Sequence, residues 1–320
     1  MARGNRSSAK FVSYDLRPAK QTERRIILDT LQISADSGLS TSNYRYVGMG
    51  GNRFYDFLLM HKYLGTSNMV SLEHDGAMYE RACFNQPYKF IEVKNINAQE
   101  FIDEDEFEGN SVYWFDYDGA LSEEVTADAL SMGTKLHSGD FFFVTIFAGV
   151  PNYLEKMNAA ARLSWFKEKF GTLAGDVTRE DVTNINYYRA NYKVLMTSIK
   201  NAFAYSENSE FIPYLKIKYQ DTKPMLTIGG VLASNDIRSV LLKNLDEKMP
   251  FLKVKKDKLF ELKVPNVTEK ERILFDLATT SNRANSKEGN QLKKLGFKPK
   301  DMTNYSSMLR YLPRYVETIF

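Results

Sequence analysis

Two short constellations in the chain carry residue types that do chemistry. The first is Val47-Gly48-Met49-Gly50-Gly51, followed by an acid, Glu73, 25 positions past Gly48. Glycines in such a run let the backbone turn sharply and come close to a ligand, and the helix that follows offers free N–H groups. A carboxylate at the tip of the next strand can accept both hydroxyls of a ribose, so the two features together describe a nucleoside cradle. Dinucleotide loops add a third glycine for close helix packing and pyrophosphate contact. That position is Arg53 here, which disfavours NAD or FAD. The second constellation is Asp116-Tyr117-Asp118-Gly119, two carboxylates beside Tyr113, Trp114 and Phe115. An ordinary Asp, with a pKa of ~3.9, is a weak base unless such surroundings raise it.

These residues need elements to position them. Tyr44 to Val47 reads as a strand running into the glycines, and Arg53 to Leu64 as a helix stopped by Gly65. Met69 to Leu72 is a second strand ending at Glu73, and Ala77 to Phe84 a helix. Phe90 to Val93, Ser111 to Phe115 and Phe141 to Phe147 are further strands, with a helix over Ser122 to Leu136. Short apolar strands alternating with amphipathic helices predict an α/β fold, a doubly wound Rossmann-like sheet. Tyr214 to Tyr219 and Met225 to Leu232 are β-like runs joined by only Gln220 to Pro224, so the sheet ends in an antiparallel hairpin. Residues 152–206 form a helical insertion placed to act as a lid. Residues 251–320 read as a small, strand-poor helical domain with Tyr305, Met308, Leu309, Leu312 and Val316 as a buried stripe. The expected divisions are 1–40, a basic N-terminal helix and loop, then 41–250 and 251–320.

In this arrangement the sequence resembles the class I S-adenosylmethionine-dependent methyltransferases over roughly residues 40–235. Gly48 and Gly50 match the glycine loop of that superfamily, with Gly51 beside them, and Glu73 matches its ribose acid. Asn95 or Asn97 matches the polar residue flanking adenine, and Asp116 and Asp118 match the acidic segment beside the transferred methyl group. The resemblance implies a sheet of about seven strands, S-adenosyl-L-methionine as cofactor, and a methyltransferase acting on oxygen or nitrogen, with the acceptor unspecified. The methyl sulfonium is already a strong electrophile. The protein therefore mainly aligns a nucleophile and, for a hydroxyl, removes its proton, a task for Asp116 or Asp118.

Narrower variants of that family fit less well. Catechol-type enzymes place an Asp-Asn pair after the fifth strand to hold Mg²⁺, where this chain has Phe147-Ala148-Gly149, so no metal is expected. Ribosomal RNA ribose methyltransferases use a Lys-Asp-Lys-Glu tetrad. Lys20 and Asp116 match two members, but the fifth-strand lysine position reads Thr145. Amino-methyltransferases of nucleic acids carry prolines that Asp116-Tyr117-Asp118-Gly119 lacks. From other classes, the same Asp-x-Asp-Gly resembles the nucleophile loop of haloacid-dehalogenase phosphatases, although two strand-helix units precede it and Gly139-Asp140 has no second acid after it. A cofactor-binding interaction or regulatory module without transferase activity is the remaining alternative.

Composition bounds these readings. The chain has 320 residues, with 43 Lys+Arg against 40 Asp+Glu, three His and one Cys. This excludes collagen, coiled-coil and disulfide-rich classes. The lone Cys83 favours a reducing, cytoplasmic setting. No apolar run approaches the ~20 residues of a membrane helix. Residues 1–25 carry seven basic and two acidic residues, and residues 251–320 carry fifteen and eight, so an acidic middle is flanked by basic ends. Basic ends suit a nucleic acid or other anionic substrate. Arg17, Lys20 and Arg24 share one helical face on the Arg17 to Ile33 helix, placed to meet a cofactor carboxylate or substrate phosphate.

Overall fold

Parallel pairing of short apolar strands organises the chain. The structure, a computed structural model, describes residues 17–39, 43–204, 209–256, 258–265, 267–280 and 286–312. Its single sheet contains β1 (Arg45–Gly48), β2 (Met69–Leu72), β3 (Ile91–Lys94), β4 (Ser111–Ala120), β5 (Phe141–Phe147), β6 (Ser209–Gln220), β7 (Pro224–Ser234) and β8 (Phe260–Leu262). The order is β3-β2-β1-β4-β5-β7-β6-β8. The first five strands are parallel, and β7 runs antiparallel to both β5 and β6. The predicted terminal hairpin is therefore present, and the doubly wound α/β fold holds.

Among the described residues the strand count is eight instead of about seven. The additional strand, β8, lies in the Lys-rich stretch read as strand-poor. It pairs in parallel with β6, Ile217 opposite Phe260 and Tyr219 opposite Leu262. Three residues between lysines carry little periodicity; what orders them is the open edge of β6, a tertiary partner the local sequence does not reveal.

Helices cover both faces. On one side lie α1 (Pro18–Ala35), α2 (Tyr55–Leu64) and α8 (Asn235–Lys248), whose Ile26, Ile27, Phe57, Leu241 and Leu245 share one apolar cluster. On the other, α4 (Ala98–Glu104), α5 (Glu123–Lys135), α6 (Ala159–Phe170) and α7 (Tyr187–Ala202) contribute to a second. α3 (Gly76–Asn85) follows β2. Alternation along β4 sends Val112 and Trp114 to the first cluster and Tyr113 and Phe115 to the second. Asp116 therefore continues the Trp114 side, toward α1, and Tyr117 the opposite side, where its hydroxyl hydrogen-bonds Asp128 of α5 at 2.5 Å.

The 152–206 insertion is not simply a lid. α7 buries Val194, Leu195 and Ile199 as an ordinary crossover between β5 and β6. The segment before it is knit together by buried Arg162, which donates to the carbonyl oxygens of Leu154 (3.0 Å), Glu155 (3.0 Å) and Val182 (3.1 Å).

The C-terminal helices α9 (Glu269–Thr280), α10 (Lys287–Lys294) and α11 (Pro299–Met308) belong to the same apolar cluster as α1 through Phe275, Leu292, Met302, Tyr305 and Met308. Tyr305, Met308 and Leu312 of the expected stripe are buried, while Val316 lies outside the described residues. No described helix is long and apolar enough to cross a membrane.

α1 is tied to the sheet at its first turn. Pro18 occupies N1, and the N-cap residue, Arg17, makes no side-chain cap. The orphan N–H groups are met from the β6–β7 turn instead: Ala19 N donates to Asp221 Oδ1 (2.9 Å) and Lys20 N to Asp221 Oδ2 (3.0 Å). Asp221→Ala should lower stability by about 1–2 kcal/mol, as loss of a helix cap does. Denaturant melts of the two proteins check this, with an unchanged midpoint contradicting it.

Candidate active site

Two parts of the site come from different strand ends on one edge of the sheet, and each follows from local chemistry. The glycine loop leaves β1 at Gly48, between Ser71 of β2 and Trp114 of β4. Gly50 N donates to Ser71 Oγ at 3.1 Å. A Cβ on Gly50 would stand 2.8–2.9 Å from Phe54, Ser71 and Phe57. This glycine thus lets the loop lie flat against β2 and α2, which is a packing reason. Gly51 differs: its φ is +52°, and nothing lies within 4 Å of where a Cβ would project. There the loop's outer side is open to a ligand.

Next to it, Asn52 donates from Nδ2 toward Met78 Sδ at 3.8 Å, while its buried Oδ1 has no hydrogen-bond partner among the described residues. A buried amide oxygen left without a donor is costly in a finished structure. The sequence reading passed over this residue, although it abuts the glycine run.

Glu73 sits just past β2, half-buried, with its backbone N–H on Lys94 O (3.0 Å) and its Oε1 accepting from Asp75 N (3.3 Å). Burial pushes its carboxyl above the ordinary 4.5. Asp75 N–H and His74 oppose the rise, and the charges of Asp75 and Asp118 add to it. Asp118 is exposed toward the far end of β4, and its charge is felt at Glu73. Asn97 is exposed and caps α4. Its Oδ1 accepts from Glu100 N (2.9 Å), and Glu100 Oε2 accepts in return from Asn97 N (2.9 Å). Its oxygen therefore has a structural task, and only its Nδ2 group remains for a ligand.

The second part is a buried ionic network under Asp116. Lys20 Nζ lies 2.7 Å from Asp116 Oδ2 and 2.8 Å from Glu23 Oε2. Glu23 Oε1 accepts from the Thr227 hydroxyl, which lies 2.8 Å from Thr145 Oγ1, and Trp114 Nε1 donates to Thr145 at 3.0 Å. The Lys20 ammonium also stands 4.7 Å from the centre of the Trp114 ring. Arg24 pairs with Asp56 of α2. Lys20 and Glu23 are 3% and 0% exposed, whereas the Asp116 side chain keeps 17%. Asp116 is therefore the only member of the Lys20–Glu23–Asp116 trio that reaches the surface.

Burial lowers the Lys20 pKa, but Asp116 and Glu23 outweigh it and hold the group above its ordinary 10.5. Burial raises Glu23 against the pull of Lys20.

This corrects the reading of α1. Arg17, Lys20 and Arg24 do share a face, but that face turns inward. Lys20 is committed to two carboxylates and cannot also receive a substrate phosphate. Arg17, at the N-cap, is half-buried. Glu23, Thr145, Thr227 and Trp114 were missed as site residues. The available signal was the spacing of Lys20, Glu23 and Arg24, opposite charges one turn apart within a helix that also carries Ile26, Ile27 and Leu31.

The chain matches, over residues 12–320, a protein family described as "Putative O-methyltransferase". It belongs to that family. No curated protein matches the sequence. Among solved structures it is similar to the N-methyltransferase NodS from Bradyrhizobium japonicum WM9 in complex with S-adenosyl-L-homocysteine, at 12% identity over 72% of this chain and 93% of that one, TM-score 0.38. It is similar also to an rRNA methylase from Streptococcus thermophilus, at 9% identity over 65% and 95% of the two chains, TM-score 0.35.

The residues present suit the S-adenosylmethionine that the sequence resemblance implies. The open side of Gly51, the unpartnered Asn52 Oδ1 and the half-buried Glu73 are what a nucleoside carrying an amino acid would need: backbone approach, an acceptor for an amine, and a carboxylate for ribose hydroxyls. The last of these requires ionised Glu73. With the folded pKa above 4.5, affinity is lost as pH falls through that raised value, and the fold itself favours the protonated form. S-adenosylhomocysteine titrated calorimetrically should bind more weakly below a midpoint lying above pH 4.5. Glu73→Gln should flatten that dependence, and Glu73→Ala should bind about 10–100-fold more weakly, the worth of hydrogen bonds to a charged acceptor. Equal binding by Glu73→Ala would remove Glu73 from the site.

Proposed function

We propose that the chain methylates a hydroxyl oxygen and that Asp116 receives the hydroxyl proton. The observation that carries this reading is the Lys20–Asp116 contact at 2.7 Å, which fixes one oxygen of a carboxylate at the end of β4 while the side chain keeps access to the surface. The family description names oxygen as the acceptor atom.

S-adenosylmethionine supplies, when bound, a methyl group on a positively charged sulfur. The protein's part is geometric and protolytic. The Gly48 to Asn52 loop and Glu73 hold the nucleoside end. Asp116 accepts a hydrogen bond from the incoming hydroxyl and takes its proton as the oxygen becomes nucleophilic. Lys20 stays an ammonium, because its pKa is raised, so it is not the base. It acts as a positioning residue, holding Asp116 by charge at 2.7 Å. Glu23 balances Lys20 from below, so that neither carboxylate has the ammonium to itself. Asp118, whose charge is felt at Glu73, is assigned to the cofactor half of the cleft.

Radiolabelled methyl transfer onto hydroxyl-bearing small-molecule, RNA, DNA and protein pools, each followed by alkaline and amine-specific workup, distinguishes oxygen from nitrogen acceptors. Label found on nitrogen alone would overturn the reading. With the labelled acceptor in hand, Asp116→Asn should lower kcat by about 10²–10⁴-fold, the usual worth of a positioned base, with S-adenosylhomocysteine affinity kept. Asp118→Asn should leave kcat within a few-fold and act on cofactor affinity. The reverse pattern would exchange their roles.

Lys20→Met should also destabilise the fold, by about 2–4 kcal/mol, since it leaves the buried Glu23 carboxylate and the partly exposed Asp116 without their cation. Chemical denaturation measures that cost. A neutral result would mean the network is not the electrostatic anchor of α1.

A further inference from the structure

The C-terminal helices present an outward side that methyl transfer does not use. α10 ends in a Schellman closure: Gly296 N donates to Lys293 O (3.0 Å), Phe297 N donates to Leu292 O (3.1 Å), and Gly296 has φ +95°. α11 begins at Pro299, so only Leu295-Gly296-Phe297-Lys298 connects the two helices. Asp301 Oδ2 accepts from Lys298 N at 2.8 Å and fixes the restart.

The inward side is pinned to α9. The Phe275 ring lies 5.0 Å from Phe297 and 4.8 Å from Tyr305, whose hydroxyl donates to Asp276 Oδ1 at 2.6 Å. Met302, Tyr305 and Met308 bury one stripe of α11 at three-residue spacing. The opposite stripe, Lys300, Thr303, Ser307 and Arg310, is exposed.

Two helices joined by a four-residue glycine turn and braced by a third share the connectivity of a helix-turn-helix. In that motif the second helix lies in the major groove and the first crosses the backbone. The charge agrees. Residues 286–312 carry six basic residues against two acidic, and all six basic residues are exposed. One of them, Arg310, is engaged by Asp29 of α1. Lys294, Lys298 and Lys300 bracket the turn and the start of α11, where a helix N-terminus adds its own positive end. A face that merely solvates the protein has no need to gather its lysines at one turn.

We propose that α10, its turn and α11 dock duplex DNA, with α11 in the major groove, Lys294, Lys298 and Lys300 against phosphates, and Thr303 and Ser307 toward base edges. The duplex is DNA because the major groove of A-form RNA is too deep and narrow for a helix to read.

The test uses the full chain and a fluorescent DNA duplex of about 30 base pairs and mixed sequence, long enough to span several turns. Anisotropy titrations run from about 50 to 200 mM salt, where phosphate contacts dominate. Binding is expected, with log affinity falling linearly with log salt. Lys298→Glu with Lys300→Glu should weaken it at least tenfold and flatten the salt slope by about 2, or ~0.9 per lost phosphate contact. Thr303→Glu, which removes no cation, should also weaken it.

Lys62→Glu with Lys243→Glu, a charge-matched pair on α2 and α8, should leave affinity within twofold. Melting temperature and S-adenosylhomocysteine affinity should be unchanged in all variants. The proposal is overturned if no duplex binds at low salt, if the control pair weakens binding as much as the α11 pair, if Thr303→Glu is neutral, or if an RNA duplex of the same sequence binds as tightly.

Discussion

One buried ammonium holds the active edge together. Lys20 carries its charge into a site where it is 3% exposed, and a cation there is tolerable only with opposite charge at hydrogen-bond distance. Glu23 and Asp116 provide it from two different elements, α1 and β4. Because Glu23 also reaches Thr227 of β7, and through it Thr145 of β5, the same charge registers α1 against three adjacent strands. The alternation of β4, the antiparallel placement of β7 and the Asp221 cap on the first turn of α1 all serve that one location. If β7 shifted by a residue, Thr227 would face the other side of the sheet and Glu23 would lose its partner.

This constraint separates the two halves of the site by rigidity. The Asp116 half is fixed by ion pairs to the buried Lys20, itself paired with the buried Glu23. In the Glu73 half the carboxylate accepts from Asp75 N at 3.3 Å, Gly51 is open, and the Asn52 amide oxygen has no partner among the described residues. The first half is already complete in the protein alone, while the second has polar capacity that a ligand would satisfy. Holding one reacting group rigidly while the cofactor completes the other side suits a transfer in which alignment is most of the task.

The sequence made the α/β architecture legible because its signal is local. Apolar runs such as Met69 to Leu72 and Phe141 to Phe147 match β2 and β5 residue for residue, and the glycine loop and Glu73 fall at strand tips as expected. What it hid was decided by tertiary contact. β8 exists because β6 has an open edge. Asn97 is a local exception: its Asn-x-x-Glu capping box with Glu100 is written in the sequence, and it gives the residue a second task beside the adenine contact expected of it. The basic face of α1 reads identically whether it meets water or a buried carboxylate, since spacing reports which residues share a face and not where that face points. Asp116 and Asp118 looked equivalent for a similar reason. They are two residues apart on one strand, but a register irregularity between Asp116 and Ala120 lets their environments diverge.

The same distinction changes what the charge distribution means. By count, both ends of the chain are basic and the middle is acidic. In the N-terminal part that the structure describes, Lys20 and Arg24 are buried against Glu23, Asp116 and Asp56. Arg25 is turned to the carbonyl oxygens of Tyr311 and Leu312. Much of that positive charge is neutralised inside the fold, where it fixes geometry and exerts little field outside. The lysines of α10, the turn and α11 are instead exposed, around a helix whose apolar stripe is already satisfied. Long-range attraction of a polyanion depends on charge that remains solvent-facing and uncompensated. Two segments of similar composition thus do opposite physical work, one fixing α1 to the sheet beside Asp116 and the other facing outward.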